Sequence, residues 1–140
     1  MADYFTHFSC LLDVGAADNA PAALAIHAQM AIDLEADDDI AIGFVAAVSS
    51  DEPSSLWLAD DAGYGEPEHV IAFALRCAEA FDLKGRWGFC WALTCSRPRA
   101  DAFGGGARVL DLGARKSLAW TDCSHWLALQ LQAGPAAGGS

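Results

Sequence analysis

One segment, residues 86–94, alternates bulky and small side chains with a period of two. The bulky positions are Trp87, Phe89, Trp91 and Leu93, and the small ones are Gly88, Cys90 and Ala92. Successive side chains of a β-strand point to opposite faces of the sheet. The segment therefore predicts a central strand whose bulky face fills a core and whose small face lets a helix or a neighbouring backbone approach closely.

The other patterns predict further strands and three helices. We expect strands at 3–13, 40–48, 56–58, 107–112 and 117–121, and helices at 19–35, at 66–82 and from a cap at Thr121 or Asp122 to Gly134. Several strands follow one another through connections too short for a crossover helix, which favours antiparallel pairing. The sequence thus predicts an α+β single domain over 1–134, in the order β-α-β-β-α-β-β-β-α, with three helices on a largely antiparallel sheet of about six strands. Residues 135–140 are expected to form a frayed tail.

Some local features refine this outline. Asp18 or Asn19 is expected to cap the first helix, and the acidic run 35–39 would lie at its C-terminal end, where negative charge opposes the helix dipole. The helix at 66–82 is apolar around much of its circumference, which predicts that it is largely buried. Residues 97–106 are expected to form a loop, and a hairpin is expected to turn at 113–116.

Composition narrows the class of protein. The chain has 140 residues, of which 54% are hydrophobic, which suits one core of ordinary size. Its longest apolar run, 40–48, is far shorter than the roughly 20 residues of a membrane-spanning helix, and no basic signal-peptide start is present. The five cysteines are an odd number, so we expect reduced thiols and a soluble cytoplasmic protein.

The charge is distributed very unevenly along the chain. Residues 1–75 contain fourteen acids and no Lys or Arg, whereas residues 76–140 contain five acids and eight bases, which gives the net charge of −11. Such a field opposes direct binding to nucleic acid or to an anionic membrane, and it attracts a basic protein surface. A solubilising acidic surface is the simpler interpretation of the same charge.

A block in the second half of the chain has a distinctive sequence. It runs GRWGF at 85–89, TCSRPR at 94–99 and FGGG at 103–106, and HFSCLL occurs at 7–12. This pattern resembles that of a group of small, acidic, uncharacterised bacterial proteins. The resemblance implies one whole-domain unit and brings no reaction, ligand or catalytic residue.

Two kinds of small-molecule chemistry are conceivable at the end of the 86–94 strand. Arg97 and Arg99 offer planar donors that suit a carboxylate or phosphate, and glycines 104–106 would let a ligand approach the backbone. Cys95 is a candidate nucleophile with His7 or His125 as its base, and Asp101 is a second candidate for chemistry. The simpler interpretation pairs one of the arginines with an acid and leaves the cysteine structural.

The metal-binding signals are weak. Cys90, Cys95, Cys123 and His125 have ligand types that zinc accepts, but neither Cys-x4-Cys nor Cys-x-His is a strong zinc spacing. The acidic runs lack the register of a calcium-binding EF-hand. We therefore predict no metal site and no cofactor.

The leading hypothesis for function is a non-enzymatic module that binds a basic protein, which includes proteins that handle nucleic acid. In general character it is similar to inhibitors of the anti-CRISPR, antirestriction or immunity type. The residues expected to face the partner are Asp33, Glu35, Asp37, Asp38, Asp39, Asp51, Glu52, Asp60 and Asp61.

Two alternatives stay open. One is a small enzyme or anionic-ligand binder that uses the loop from Cys95 to Gly106. The other is a homodimer formed through a sheet edge or a tryptophan surface. The tryptophans are mostly expected in the core, and any that is exposed would point to a binding patch.

Overall fold

The computed structural model describes residues 2–133, which form three α-helices and seven β-strands. In chain order these are β1 (Tyr4–His7), β2 (Ser9–Asp13), a short 3-10 helix (Ala17–Asn19), α1 (Ala20–Asp38), β3 (Phe44–Val48), β4 (Ser55–Asp60), α2 (Pro67–Phe81), β5 (Arg86–Cys95), β6 (Gly104–Asp111), β7 (Lys116–Asp122) and α3 (Cys123–Gln132). The predicted α+β class is confirmed. Gly134 and the expected tail at 135–140 lie outside the described residues.

The strands form two antiparallel sheets in place of the predicted sheet of about six strands. The four-stranded sheet has the order β1-β5-β6-β7 and the three-stranded sheet has the order β2-β4-β3. The single strand expected at 3–13 is divided at Phe8, whose amide donates a 2.9 Å hydrogen bond to the Asp60 carboxylate. The N-terminal segment therefore supplies an edge strand to each sheet.

One apolar cluster joins both sheets to α1 and α2. Its fully buried large side chains are Phe44, Phe73, Leu12, Leu56, Leu58, Leu110, Val14, Val70 and Cys77. The burial predicted for the helix at 66–82 is confirmed, because α2 contributes three of these side chains. His27 completes the packing: its ring lies edge-on to Phe44 and Phe73, and its Nε2 donates to the Phe44 carbonyl at 2.9 Å.

Helix α1 begins one residue later and ends three residues later than predicted. Asn19 does not cap it through its side chain, because its Nδ2 donates to the Val14 carbonyl. At the other end, Asp39 adopts a left-handed conformation with φ 54°, and its amide closes the helix on the carbonyls of Leu34 and Glu35. Most of the acidic run is thus helical.

The predicted central strand exists as β5, with Phe89 buried and Trp87 and Trp91 packed against the core. The loop predicted at 97–106 is shorter, because glycines 104–106 belong to β6. Gly106 lies opposite Trp91, and a Cβ there would be 2.5 Å from Trp91 Cζ2. The missing side chains are what lets the indole lie across the neighbouring strand.

Arg115, in the turn of the predicted β6–β7 hairpin, binds the C-terminal end of α2. Its guanidinium donates to the backbone carbonyls of Leu83, Leu112 and Gly113, and it forms ion pairs with Glu79 and Asp82. These contacts fix the orientation of the hairpin relative to α2.

Candidate functional site

The C-terminal half of α1 carries the densest group of acidic side chains. Its members, all exposed, are Asp33, Glu35, Asp37, Asp38 and the capping residue Asp39. Within the part of the chain that the structure describes, none of them forms an ion pair. Asp33 has a polar contact only along its own helix, where Gln29 Nε2 donates to it at 2.9 Å.

Three of the eight bases pair with other acids instead. Arg108 binds Glu68, Lys84 binds Asp82, and Arg115 binds Glu79 and Asp82. Of these acids only Glu68 belongs to the base-free first half of the sequence. Among the described residues, therefore, no ion pair neutralises any of the α1 acids.

A groove of about 200 Å³ runs between α1 and α2 beside these acids. Its apolar lining comes from Met30, Leu34 and Ala72. Its charged and polar lining consists of Asp33, Asp37, Asp38, His69 and Arg76. Three carboxylates against one guanidinium leave the groove with a net negative charge, and we call it the acidic groove.

The remaining predicted partner-facing acids lie elsewhere. Asp51 and Glu52 are exposed on the turn between β3 and β4, and Asp61 is exposed just after β4. Asp60 is different, because only 16% of its side chain is exposed. Its oxygens accept from the amides of Phe8 and Gly63, and Oδ2 lies 3.3 Å from His7 Nδ1. We therefore treat Asp60 as a structural residue of the sheet junction.

A second, larger cleft of about 630 Å³ separates α3 from the four-stranded sheet. Cys90, Ala107 and Thr121 line it from the small-residue face of the sheet, and Trp126 and Leu127 line it from α3. Its lining carries one acid, Asp122, whose carboxylate caps α3 by accepting from the His125 amide at 2.6 Å. The sequence did not predict this cleft.

The residues proposed for catalysis do not converge in the cleft. Neither Cys95 nor His125 lines it, and the His125 ring instead lies 5.5 Å from the Trp120 ring. Arg97, Arg99 and Asp101 are exposed on the shortened β5–β6 loop, and none of them is ion-paired within residues 2–133. His7 is held by Asp60 and by Thr94 Oγ1 at 3.2 Å.

The cysteines differ in their surroundings. Burial raises the pKa of the Cys77 thiol to about 12, and burial together with the nearby Cys90 raises the pKa of Cys10 to about 12. Both are therefore protonated and unreactive at neutral pH.

No group of three or more metal-ligating side chains suited to an ion occurs among the described residues. The described helices also include none long and apolar enough to cross a bilayer.

Comparisons with protein-family models, with curated proteins and with solved structures give no match. A function has to be inferred from the surface of the molecule itself, of which the acidic groove and the α3 cleft are two concave parts.

The glycines of β6 provide a test of how the α3 cleft is built. Gly106→Ala is expected to lower the free energy of unfolding by about 1–3 kcal/mol, because the new Cβ would crowd the Trp91 indole and the Thr121 carbonyl oxygen. Chemical denaturation measures the change. Gly104→Ala is the matched control, since its Cβ would meet only Ser124 Oγ at 3.6 Å. Equal losses in the two variants would contradict the close packing of Trp91 on Gly106.

Proposed function

We propose that this protein is a binding module that holds a basic segment of a partner protein in the acidic groove between α1 and α2. The observation that carries the proposal is the groove itself, in which three unpaired aspartates surround an apolar floor. The proposal narrows the predicted acidic surface to one concave site.

The groove matches the two-part chemistry of a long basic side chain. Lysine and arginine have an apolar stem that packs on apolar surface and a cationic head that prefers a carboxylate. Met30 and Leu34 supply the apolar surface, and Asp37 and Asp38 supply carboxylates at the rim. Arg76, at the same rim, opposes an incoming cation, so removing its charge should strengthen binding.

The stability of the helix does not account for these acids. The C-terminal end of a helix carries a partial negative charge, and each acid placed there costs about 0.3–1 kcal/mol. Asp37 and Asp38 occupy the last turn of α1, and no basic side chain occurs there to offset them. Residues that oppose local stability are commonly retained for binding.

The other exposed acids would act at longer range. Asp51, Glu52 and Asp61 add to the electrostatic field that attracts a basic partner, and their effect should weaken as the salt concentration rises.

A protein that holds nucleic acid has the required basic surface, and a module that covers that surface would inhibit it. All five cysteines are free, which supports a reducing, cytoplasmic setting for this proposal.

The test measures binding of a synthetic arginine-rich peptide by titration calorimetry at low salt. Combining Asp33→Asn, Asp37→Asn and Asp38→Asn is expected to raise the dissociation constant about 20-fold, because three exposed ion pairs at about 0.6 kcal/mol each contribute about 1.8 kcal/mol. The same variant should unfold at a higher temperature, because two opposing charges leave the end of the helix.

The control variant combines Asp51→Asn, Glu52→Gln and Asp61→Asn. It removes the same net charge outside the groove, so its dissociation constant should rise no more than about 3-fold. If the two triple variants lost affinity equally, the attraction would be nonspecific and the groove would not be the site. A glutamate-rich peptide should bind neither variant nor the natural chain.

A further inference from the structure

We propose that the basic segment of the partner protein is extended and adds as a further strand to the open edge of β3. This inference rests on the proposed function, because it takes the partner to be basic. It adds the conformation in which the partner binds and a second surface that holds it. The support comes from the backbone of β3, from the other strand edges, from a cavity beside β3 and from the charge at both ends of the strand.

The backbone of β3 uses only every second residue to pair with β4. Ser49, just after β3, donates its amide to the Ser55 carbonyl at 2.9 Å, and β3 continues this register without a bulge. In an antiparallel pair, bonded and non-bonded residues alternate along each strand. The odd-numbered residues of β3 therefore bond to β4, whereas Ala46 and Val48 direct their amides and carbonyls to the other side.

That other side of β3 is blocked only at its first residue. The Phe44 carbonyl, which has the same parity as Ala46 and Val48, accepts from His27 Nε2 at 2.9 Å. Within residues 2–133, no other strand borders this edge and no further hydrogen bond reaches Ala46 or Val48 from it. Val48 is 45% exposed. Two residues are thus free to pair with an added strand.

Among the described strands, the other three outer edges are partly blocked. On β1, the amide and the carbonyl of Thr6 are both bonded to the loop after β4. On β2, the Leu11 carbonyl accepts from Trp87 Nε1 at 2.8 Å. β7 carries a bulge at Leu118, and a bulge blunts an edge. β3 has no bulge and contains no charged residue and no proline.

A cavity of about 420 Å³ lies on the outer face of the three-stranded sheet, at the end of β3. Its lining includes Leu11, Trp57 and, from the turn that follows β3, Asp51. Leu11 and Trp57 are paired across β2 and β4 and are 45% and 42% exposed. An indole beside a carboxylate suits an arginine or a lysine, whose stem packs on the ring while its cationic head pairs with the acid.

The charge around β3 favours a basic segment over a second copy of this chain. Asp51 and Glu52, both exposed, lie beyond the end of the strand. Before its start, the Ile42 carbonyl accepts from Nδ1 of His69, which also lines the acidic groove. An added strand therefore has acidic groups beyond both of its ends. The net charge of −11 opposes a second copy at the same place.

An antiparallel added strand has residues in two alternating roles. Residues opposite Ala46 and Val48 exchange hydrogen bonds with them, whereas a residue opposite Ala47 directs its side chain to the outer face of the sheet. Ala47 is small and lies directly opposite Trp57 of β4. A long basic side chain placed beside Ala47 can therefore cross it and reach the indole.

The first test uses an eight-residue peptide in which arginine and threonine alternate, with titration calorimetry on the full chain at low salt. N-methylation of the two central threonine amides is expected to raise the dissociation constant about 25-fold, because two backbone hydrogen bonds are lost and each contributes about 5-fold. N-methylation of the two central arginine amides is the matched control. It should raise the dissociation constant less than about 3-fold, because those amides point to solvent.

The second test changes the edge of β3 itself. Val48→Pro removes one outward donor and is expected to raise the dissociation constant of the unmodified peptide about 5-fold. The Val48 amide takes no part in the pairing with β4, so the variant should fold, which circular dichroism checks. Val48→Ala is the matched control, because it shortens the side chain and keeps the amide, and its effect should be less than about 2-fold.

The outcomes separate this inference from the proposed function. Equal binding of the two methylated peptides, or equal effects of Val48→Pro and Val48→Ala, would overturn the pairing with β3. If the variant with Asp33→Asn, Asp37→Asn and Asp38→Asn still lost affinity in that case, the acidic groove would stand as the site and only the added strand would be wrong. A failure of the unmodified peptide to bind would overturn both.

Discussion

Asp60→Ala is expected to lower the free energy of unfolding by about 3 kcal/mol. Its carboxylate accepts from the amides of Phe8 at 2.9 Å and Gly63 at 2.8 Å, where the chain passes from one sheet to the other. Both amides would lose their acceptor, and each such loss in a partly buried place costs about 1–3 kcal/mol. Urea unfolding at neutral pH measures the difference.

Asp61→Ala is the matched control, because the neighbouring Asp61 side chain is exposed and makes no hydrogen bond within residues 2–133. Its effect should stay within about 0.5 kcal/mol. Similar losses in both variants would show that Asp60 does not hold the junction.

The contribution of Asp60 to the free energy of unfolding should also depend on pH. Partial burial tends to raise the pKa of Asp60, but the Phe8 and Gly63 amides and His7 together lower it below its ordinary value of 3.8. A carboxyl group with a depressed pKa stabilises the fold fully above that ordinary value, and the effect is lost as the pH falls through the folded-state pKa. The stability gap between the natural chain and Asp60→Ala should therefore narrow below about pH 4.

Phe73→Ala is expected to cost about 3–5 kcal/mol of unfolding free energy. The Phe73 ring is fully buried, with its centroid 5.6 Å from that of Phe44 and 5.9 Å from that of His27. Truncation leaves a cavity between α1, α2 and β3 and removes three-way ring packing. Thermal and chemical unfolding should both report the loss.

Phe103→Ala removes the same side chain from a position where it is 51% exposed. Its cost should be below about 1 kcal/mol, because little apolar contact is lost. If Phe103→Ala destabilised the chain as much as Phe73→Ala, the core would not be centred where the structure places it.

Local periodicity predicted the elements whose patterns depend only on near neighbours. The alternation in β5 and the continuous apolar surface of α2 both follow from the residues within each segment. The division of the N-terminal segment at Phe8 could not be predicted in this way. The carboxylate that accepts the hydrogen bond from the Phe8 amide belongs to Asp60, which is 52 residues away in the sequence. The glycine-rich start of β6 likewise depends on Trp91 across the sheet.

The same distinction between local patterns and contacts distant in sequence applies to the candidate sites. Counting charges identified the acids of α1, but the groove exists only because α2 brings Ala72 and Arg76 beside them. Neighbouring aspartates such as Asp60 and Asp61 look alike in the sequence, yet one is mostly enclosed and one is exposed. The pattern of α3 predicted a helix correctly, but it could not show that Trp126 would be left uncovered.

The shared N-terminal segment has a consequence for the order of folding during synthesis. β1 cannot pair until β5 has left the ribosome, because its contacts reach as far as Asp3 to Ser96, 93 residues apart. Such a high contact order slows folding, since a long loop must close before its contacts form. The three-stranded sheet, whose partners β2, β3 and β4 all lie within the first 60 residues, can assemble earlier. We therefore expect that β1 stays unpaired in the nascent chain until β5, which ends at Cys95, has left the ribosome.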